Sequence, residues 1–316
     1  TKETVSRYID GKLVTQNLIE NLNIDNRGDS HTQEITTYTT DKEGKNKEVT
    51  SYQLLTNRKF DSKHNIINQL IITYDKSGGI LLDTQEVRSI GFHSSGVAIK
   101  QVIATYKDQT KKELLDVKVI DNEVIQSNGN VSKYTITRYK DCTIEDTGTG
   151  DITYSNPIDK EQIEVISFDE RANPLSQSII KEYYDTKTFV FSEAQHLTNS
   201  GYDIHDRPSK SVVFNYSDSS FTNLIDKQEL FFNDYDEFGN VRDQTLLTYI
   251  KDDKGSPTIL QGKKTIQRDF ADKVAQKRGN ATKTEVKNYN PSDKLLDTII
   301  TETNPTDFDR GYATKE

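Results

Sequence analysis

The property that most constrains this chain is that it repeats itself. Tyr235-Asp236-Glu237-Phe238-Gly239-Asn240 is followed by Gln244 and Tyr249. With the first aromatic at position zero, Asp stands at +1, a turn-forming residue at +4, a polar residue at +5, Gln at +9 and Tyr at +14. Phe60-Asp61 is followed in the same way by Asn65, Gln69 and Tyr74, and Phe92 by Gly96, Gln101 and Tyr106. Phe168-Asp169 leads to Ala172, Asn173 and Gln177, with Tyr183 one place late. Tyr202-Asp203 leads to Asp206, Arg207 and Tyr216, with Ser211 in the Gln position, and Ile24-Asp25 leads to Gly28, Gln33 and Tyr38. Weaker copies are Ile120-Asp121 with Tyr134 and Gly279-Asn280 with Tyr289. Units therefore start near residues 24, 60, 92, 120, 168, 202, 235 and 275, and residues 1–316 read as a single array without a domain boundary. A period of this length marks a repeat architecture, in which each unit is one supersecondary element that buries its surface against its neighbours.

Each copy has a readable local physics. The Asp at +1 can accept hydrogen bonds from backbone N–H groups further on and close a turn. Gly at +4 supplies a positive φ without steric cost. The strand that follows alternates its faces, so Leu247 and Tyr249 share one side, as do Leu70, Ile72 and Tyr74. A second turn at Lys251–Pro257 then sends the chain back along Thr258–Gln267. Each unit is thus a β-hairpin, and hairpins joined by short links pair antiparallel. Helical periodicity is confined to a short turn around Asp269–Gln276. The expected fold is all-β, with tandem antiparallel β-hairpin repeats forming an extended meander or a segment of a β-shell; a two-sheet sandwich or barrel is the third version. The aromatic at position zero is expected under its own turn. Gln at +9 is expected on an exposed strand face, with a side-chain ladder or a glycan contact as the alternatives.

The Tyr-Asp-x-x-Gly-Asn signature, carried by Tyr235, Asp236, Gly239 and Asn240 and more loosely by Tyr202, Asp203, Asp206 and Arg207, resembles the YD repeat of RHS-type proteins. That family includes bacterial polymorphic toxins, insecticidal toxin shells and teneurins. The resemblance covers most of the chain. It implies long strands wound into a hollow shell and an extracellular or cell-surface setting. The unit here is longer than the usual YD repeat, and no self-cleaving core segment or toxin domain is found.

Composition limits the jobs such an array can do. Only 32% of the residues are hydrophobic, against ~45–50% on a slightly wider count for typical soluble domains, so a thick core is hard to build. Disorder is countered by the 12 Phe and 16 Tyr and by a Leu, Ile, Val and Phe share of about a quarter, above that of disordered chains. The net charge of −9 is spread among mixed signs, and no basic block tracks a phosphate backbone, so nucleic acid is not an expected partner. No apolar run approaches the ~18 residues that span a bilayer. The chain holds no Met and is expected to be a processed product or, preferably, a fragment of a larger protein.

No catalytic, cofactor or metal site is expected. The single cysteine, Cys142, has no base assigned to it among the five histidines. Asp146-Thr147-Gly148 matches the aspartic-protease triplet, but it occurs once, without an apolar strand leading in, and reads as a turn. Asn233–Gly239 spaces its oxygens roughly as a calcium loop does and lacks the closing Glu. The expected protein is a non-enzymatic structural segment of a large secreted or surface bacterial protein. Its partners would be neighbouring repeats or copies of itself. The alternatives are a module that binds a glycan or protein through a Tyr/Gln face, and a shell segment of an RHS-like toxin.

Overall fold

A computed structural model describes residues 1–305 together with Phe308, Asp309, Tyr312 and Ala313. The chain divides into two compact units, Thr1–Asp159 and Lys160–Glu316. The first holds β1 (Lys2–Ile9), β2 (Lys12–Ile24), β3 (Ser30–Thr39), β4 (Glu48–Phe60), β5 (Ile66–Tyr74), β6 (Leu81–Phe92), β7 (Ala98–Tyr106), β8 (Leu114–Ile125) and β9 (Val131–Ile144). A single helical turn, α1 (Glu145–Gly148), precedes β10 (Ile152–Phe168), within which the boundary falls. The second holds β11 (Pro174–Tyr184), β12 (Phe189–Ser200), β13 (Lys210–Tyr216), β14 (Leu224–Tyr235), β15 (Val241–Lys251) and β16 (Pro257–Asp269). It continues through α2 (Lys273–Arg278), β17 (Lys283–Tyr289), β18 (Leu295–Glu302) and the short β19 (Phe308–Asp309) and β20 (Tyr312–Ala313).

The fold is the all-β meander that the repeat implies. The eighteen long strands belong to one sheet, and pairing runs antiparallel between consecutive strands. The short helix α2 occupies the place of the helical signal near Asp269–Gln276; Asp272 caps it by accepting from Ala275 N, and Gly279 ends it at φ 69°.

One turn does most of the reversing. In Asp61–Asn65, Asp61 Oδ1 accepts from the backbone N–H of Lys63 at 2.8 Å and of Asn65 at 2.9 Å, while Asp61 N donates to Asn65 O. Asp169, Asp203 and Asp236 repeat the pattern. So do Asp41, Asp252 and Asn290, at hairpin links outside the Tyr-Asp signature. The fourth turn residue has positive φ, whether glycine, as at Gly239 (86°), or not, as at His64 (69°), Ala172 (66°) and Asp206 (59°). Where the signature lacks Asp, His93 substitutes, its Nδ1 accepting from Ser95 N at 3.2 Å. Asn, Asp and His tolerate the left-handed region better than other side chains; Ala172 has no such help and relies on the Asp169 bonds.

The bulges follow the repeat. Register shifts by one residue beside Tyr38, Tyr74, Tyr106, Tyr216, Tyr249 and Tyr289, the tyrosines that close the copies. In each case the extra residue lies on the following strand, such as Leu82 opposite the Thr73/Tyr74 step. Bulges of this kind raise the local twist and re-aim side chains. The Tyr-bearing strand keeps its alternation, as read for Leu247 and Tyr249.

The structure moves one start. Ile120 and Asp121 lie inside β8; the turn comes five residues later, at Gln126–Asn130, where Gln126 N donates to Asn130 O. With Ile125 as position zero, Gly129 and Tyr139 occupy +4 and +14. Gln126 hides the copy, because the Asp that marks the others is missing.

Apolar burial concentrates in the first unit. Val102, Ala104 and Tyr106 on β7 and Val117 and Val119 on β8 form a cluster with Ile152 of β10, flanked by Tyr139, Cys142 and Tyr154. Ala104 faces Val117 and Val102 faces Val119 across the β7–β8 pair. Burying side chains of this size contributes ~1.5–3 kcal/mol each.

Candidate functional site

Two arrangements stand out: a seam linking successive turns, and a buried carboxylate. The seam follows the turns that carry the signature. In the second unit, Arg171 Nη1 donates to Asp203 O at 3.0 Å, and Arg207 Nη1 donates to Asp236 O at 3.3 Å. In the opposite sense, Tyr202 Oη donates to Pro174 O at 2.6 Å and Tyr235 Oη donates to Pro208 O at 2.7 Å. Asn240 Nδ2 continues the seam to Gln276 O on α2 at 2.6 Å. The first unit shows the same logic: Arg27 Nη2 donates to Asp61 O at 2.8 Å, and His64 Nδ1 lies 2.7 Å from Asp29 Oδ1. Turns on one edge of a meander are two strand spacings apart, roughly 9.5 Å, a gap that Arg and Tyr can cross. The position-zero aromatics Tyr202 and Tyr235 thus reach the preceding turn, where the sequence placed them under their own. Burial pushes the Tyr235 hydroxyl up to about 12, and Arg207 lies 5.0 Å from its ring centroid.

The turn carboxylates are electrostatically committed. The Asn65 amide is the largest influence on Asp61 and holds its carboxyl below the usual range. Burial raises Asp203, but Arg207 and the turn N–H groups overcome it, and the net shift is downward. Asp236 accepts from Phe238 N, Asn240 N and Asn240 Nδ2. That use of its oxygens favours the turn reading of Asn233–Gly239 over a calcium loop. Among the described residues no group of three or more His, Cys, Asp or Glu side chains is disposed to hold a metal.

The five glutamines at +9 are half-buried or buried, not exposed on a strand face as expected; Gln177 and Gln244 are 8% exposed. In the first unit they form a side-chain ladder. Gln33 Nε2 donates to Asn21 Oδ1 at 2.7 Å, Asn57 Nδ2 to Gln33 Oε1 at 3.1 Å and Gln69 Nε2 to Asn57 Oδ1 at 2.7 Å. Gln101 reaches Ser89 Oγ. In the second unit Ser211, which stands in for Gln, donates to Asn199 Oδ1 at 2.6 Å. The tyrosines at +14 are partly covered: Tyr106 is 5% exposed and Tyr74, Tyr216 and Tyr249 are half-buried, whereas Tyr183, one place late, is 50% exposed.

The buried carboxylate is Glu86, on β6. Its side chain is fully buried and meets Arg58 Nη1 at 2.7 Å, Lys111 Nζ at 2.8 Å and Arg88 Nη1 at 3.0 Å. Arg58 arrives there as the extra residue of a bulge between Asn57 and Lys59. The same cations bind the β9–β10 link: Lys111 Nζ donates to Gly148 O at 3.0 Å and Arg88 Nε to Gly150 O at 2.7 Å. Asn68 Nδ2 donates to Thr149 O. The link therefore folds over the sheet onto β5 and β6. Burial opposes the charge of Glu86, but Arg58, Lys111 and Arg88 outweigh it and hold the carboxyl below its ordinary value. Asp146 and Gly148 thus belong to a docked turn, with Asp146 at φ 47°; the Thr147 side chain lies outside the described part. A recess of about 280 Å3 under this turn is lined by charges of both signs, Lys59, Arg88, Glu145, Asp146 and Asp151, together with Ile67 and Ile90. Cys142 Sγ lies 3.4 Å from Tyr106 Oη, and burial raises the thiol, the reverse of an activated nucleophile.

The sequence did not mark Glu86 or the reach of the seam arginines: Arg58 and Lys111 stand 28 and 25 residues from Glu86, and the carbonyls that Arg171 and Arg207 reach are 32 and 29 residues away, so that only Arg88 is a near neighbour in sequence.

No family model matches the sequence, and no curated protein matches it. Among solved structures it is similar to a chain of the Photorhabdus luminescens Tc holotoxin pore, with a TM-score of 0.22 and 10% sequence identity. The alignment covers 92% of this chain and 16% of that one, so this chain spans about a sixth of its neighbour's length.

Proposed function

We propose that this chain is a non-enzymatic structural segment of a large bacterial secreted or cell-surface protein. Its hairpins act as wall material, and its partners are neighbouring repeats. The observation that carries the reading is the turn-to-turn seam: Arg171, Arg207, Tyr202 and Tyr235 spend their polar groups on holding one repeat to the next. A chain whose signature residues serve cohesion between neighbours behaves as a one-dimensional array. The finer reading, a shell segment of the RHS kind, rests on the Tyr-Asp-x-x-Gly-Asn motif. An adhesive module would need a row of exposed aromatic side chains, and the partial burial of the +14 tyrosines disfavours it.

Excision of one repeat tests the reading. Removing residues 202–234 joins Gly201 to Tyr235 and offers Pro174 O to Tyr235 in place of Pro208 O. An array should survive, with the same strand signal per residue by circular dichroism and one cooperative transition at slightly lower temperature. Loss of the fold throughout the second unit would refute the array, since a domain built around a single site cannot lose a hairpin from its middle.

A further inference from the structure

We propose that the first unit binds an uncharged sugar in the recess between the turns Asp61–Asn65 and His93–Val97. The recess holds about 360 Å3. Its lining includes the ladder positions Gln69, Ser89 and Gln101, His64 and Asn65 of one turn, and Phe92 beside the other. The side-chain ladder breaks at this place. Asn21 stands opposite Gln33, and Asn57 opposite Gln69. Asn57 also lies two residues beyond Leu55, the partner of Gln33, so its amide serves both glutamines, donating to Gln33 Oε1 and accepting from Gln69 Nε2. The equivalent position one repeat later is Ser89, opposite Gln101 and two residues beyond Val87, the partner of Gln69. A serine hydroxyl ends one bond short of an asparagine amide and carries a single hydrogen. Ser89 Oγ accepts from Gln101 Nε2 at 3.2 Å, and no donor meets Gln69 Oε1 among the described residues. Ser89 is only 6% exposed, and its hydroxyl proton has no acceptor among the described residues.

The turn seam is interrupted at the same place. Arg27 and His64 tie the β2–β3 turn to Asp61–Asn65. No side-chain hydrogen bond ties Asp61–Asn65 to His93–Val97 among the described residues. Position zero of the later copy is Phe92, which has no hydroxyl to reach back as Tyr202 and Tyr235 do. The groups left over decide the ligand class. In a chain with 29% charged residues, no Asp, Glu, Lys or Arg lines this recess among the described residues. It offers amides that donate and accept, a hydroxyl, an imidazole and an aromatic ring. Side-chain amides match the paired donor and acceptor of neighbouring sugar hydroxyls, and an aromatic ring takes the C–H face of a pyranose. A concave site of this size with a few convergent polar groups is the ordinary form of a small-molecule site. A charged ligand would find no carboxylate, ammonium or guanidinium to pair with. The site goes beyond the scaffold reading and does not depend on it: a wall segment can carry one such pocket without a row of exposed tyrosines.

The test titrates the full chain with the methyl glycosides of glucose, galactose, mannose and N-acetylglucosamine at millimolar concentration, followed by amide signals in nitrogen–proton correlation spectra. At least one glycoside should bind and shift the signals of Gln69, Ser89, Phe92 and Gln101 while leaving those of Gln33 and Gln177 in place. Ser89→Asn supplies the missing amide to Gln69. Its melting temperature should rise by about 2–4 °C, the worth of one hydrogen bond in a unit of this size, and binding should be lost as the rung closes. Phe92→Ala should weaken binding about tenfold, the loss expected when one good contact is removed. Circular dichroism confirms that each variant is folded, and the signals shifted in the parent chain decide the matter if a variant is not. Failure of all four glycosides to bind overturns the inference. So do shifts that fall outside the recess, or a folded Ser89→Asn chain that binds as well as the parent.

Discussion

The strands β6–β8 of the first unit and β15–β18 of the second are built from the same hairpin grammar and end in different states. On β6, Leu82, Asp83 and Thr84 are consecutive and buried, as are Glu86 through Ser89, so both faces are covered. On β18, seven of the eight residues are exposed. Alternation along a strand decides which residues share a face, and something else must decide whether that face is covered. For β6 the cover is the β9–β10 link, held by Lys111, Arg88 and Asn68 through the carbonyls of Gly148, Gly150 and Thr149. No comparable cover lies over β18 among the described residues. Local sequence therefore makes a strand, and the burial of that strand is a property of what folds over it.

The sharpest way to break this contrast is Glu86→Ala. It leaves Arg58, Arg88 and Lys111 without their shared anion, and breaking a buried ion pair from one side costs about 3–5 kcal/mol. Amide hydrogen exchange should quicken across β5–β7 and stay unchanged across β14–β16. The same carboxylate sets a pH dependence. Its value in the folded chain lies below the 4.5 of a free Glu, so its contribution is present above that value and is lost as pH falls through the folded one. The melting temperature of Glu86→Gln should therefore fall less between pH 7 and pH 3 than that of the parent chain.

A smaller effect sharpens the comparison. Val119 is 2% exposed and Ile299 is 53% exposed. Val119→Ala should cost about 2 kcal/mol by denaturant titration, from lost transfer energy and the cavity left behind, and Ile299→Ala in the monomer should stay within about 0.5 kcal/mol. Equal losses at the two positions would mean that β18 is covered in solution. The smallest effect belongs to the seam. Tyr235→Phe removes the hydroxyl that donates to Pro208 O and should cost about 1 kcal/mol, the net worth of one hydrogen bond.

Much of the fold was legible because its grammar is local. Asp61, Asp169, Asp203 and Asp236 close turns within five residues, and Leu70, Ile72 and Tyr74 alternate on one strand. The copy at Ile125 escaped because Gln126 replaces the marker, and the role of His93 was invisible because an imidazole nitrogen acts there as the acceptor that is elsewhere a carboxylate. The Gln positions were legible and their setting was not. Gln33 and Gln69 are bridged by Asn57, which belongs to the intervening strand and lies outside the signature.

The sequence by itself determined the turns, the strand periodicity and hence the antiparallel meander, because each of these depends on groups a few residues apart. Only the tertiary structure decided that Arg171 and Arg207 grip the next turn, that Tyr202 and Tyr235 grip the preceding one, and that Glu86 is buried beneath the β9–β10 link. Those contacts join residues dozens of positions apart. Their strength comes from the geometry of the paired groups and from burial, partial along the seam and complete at Glu86, which no local pattern of side chains encodes.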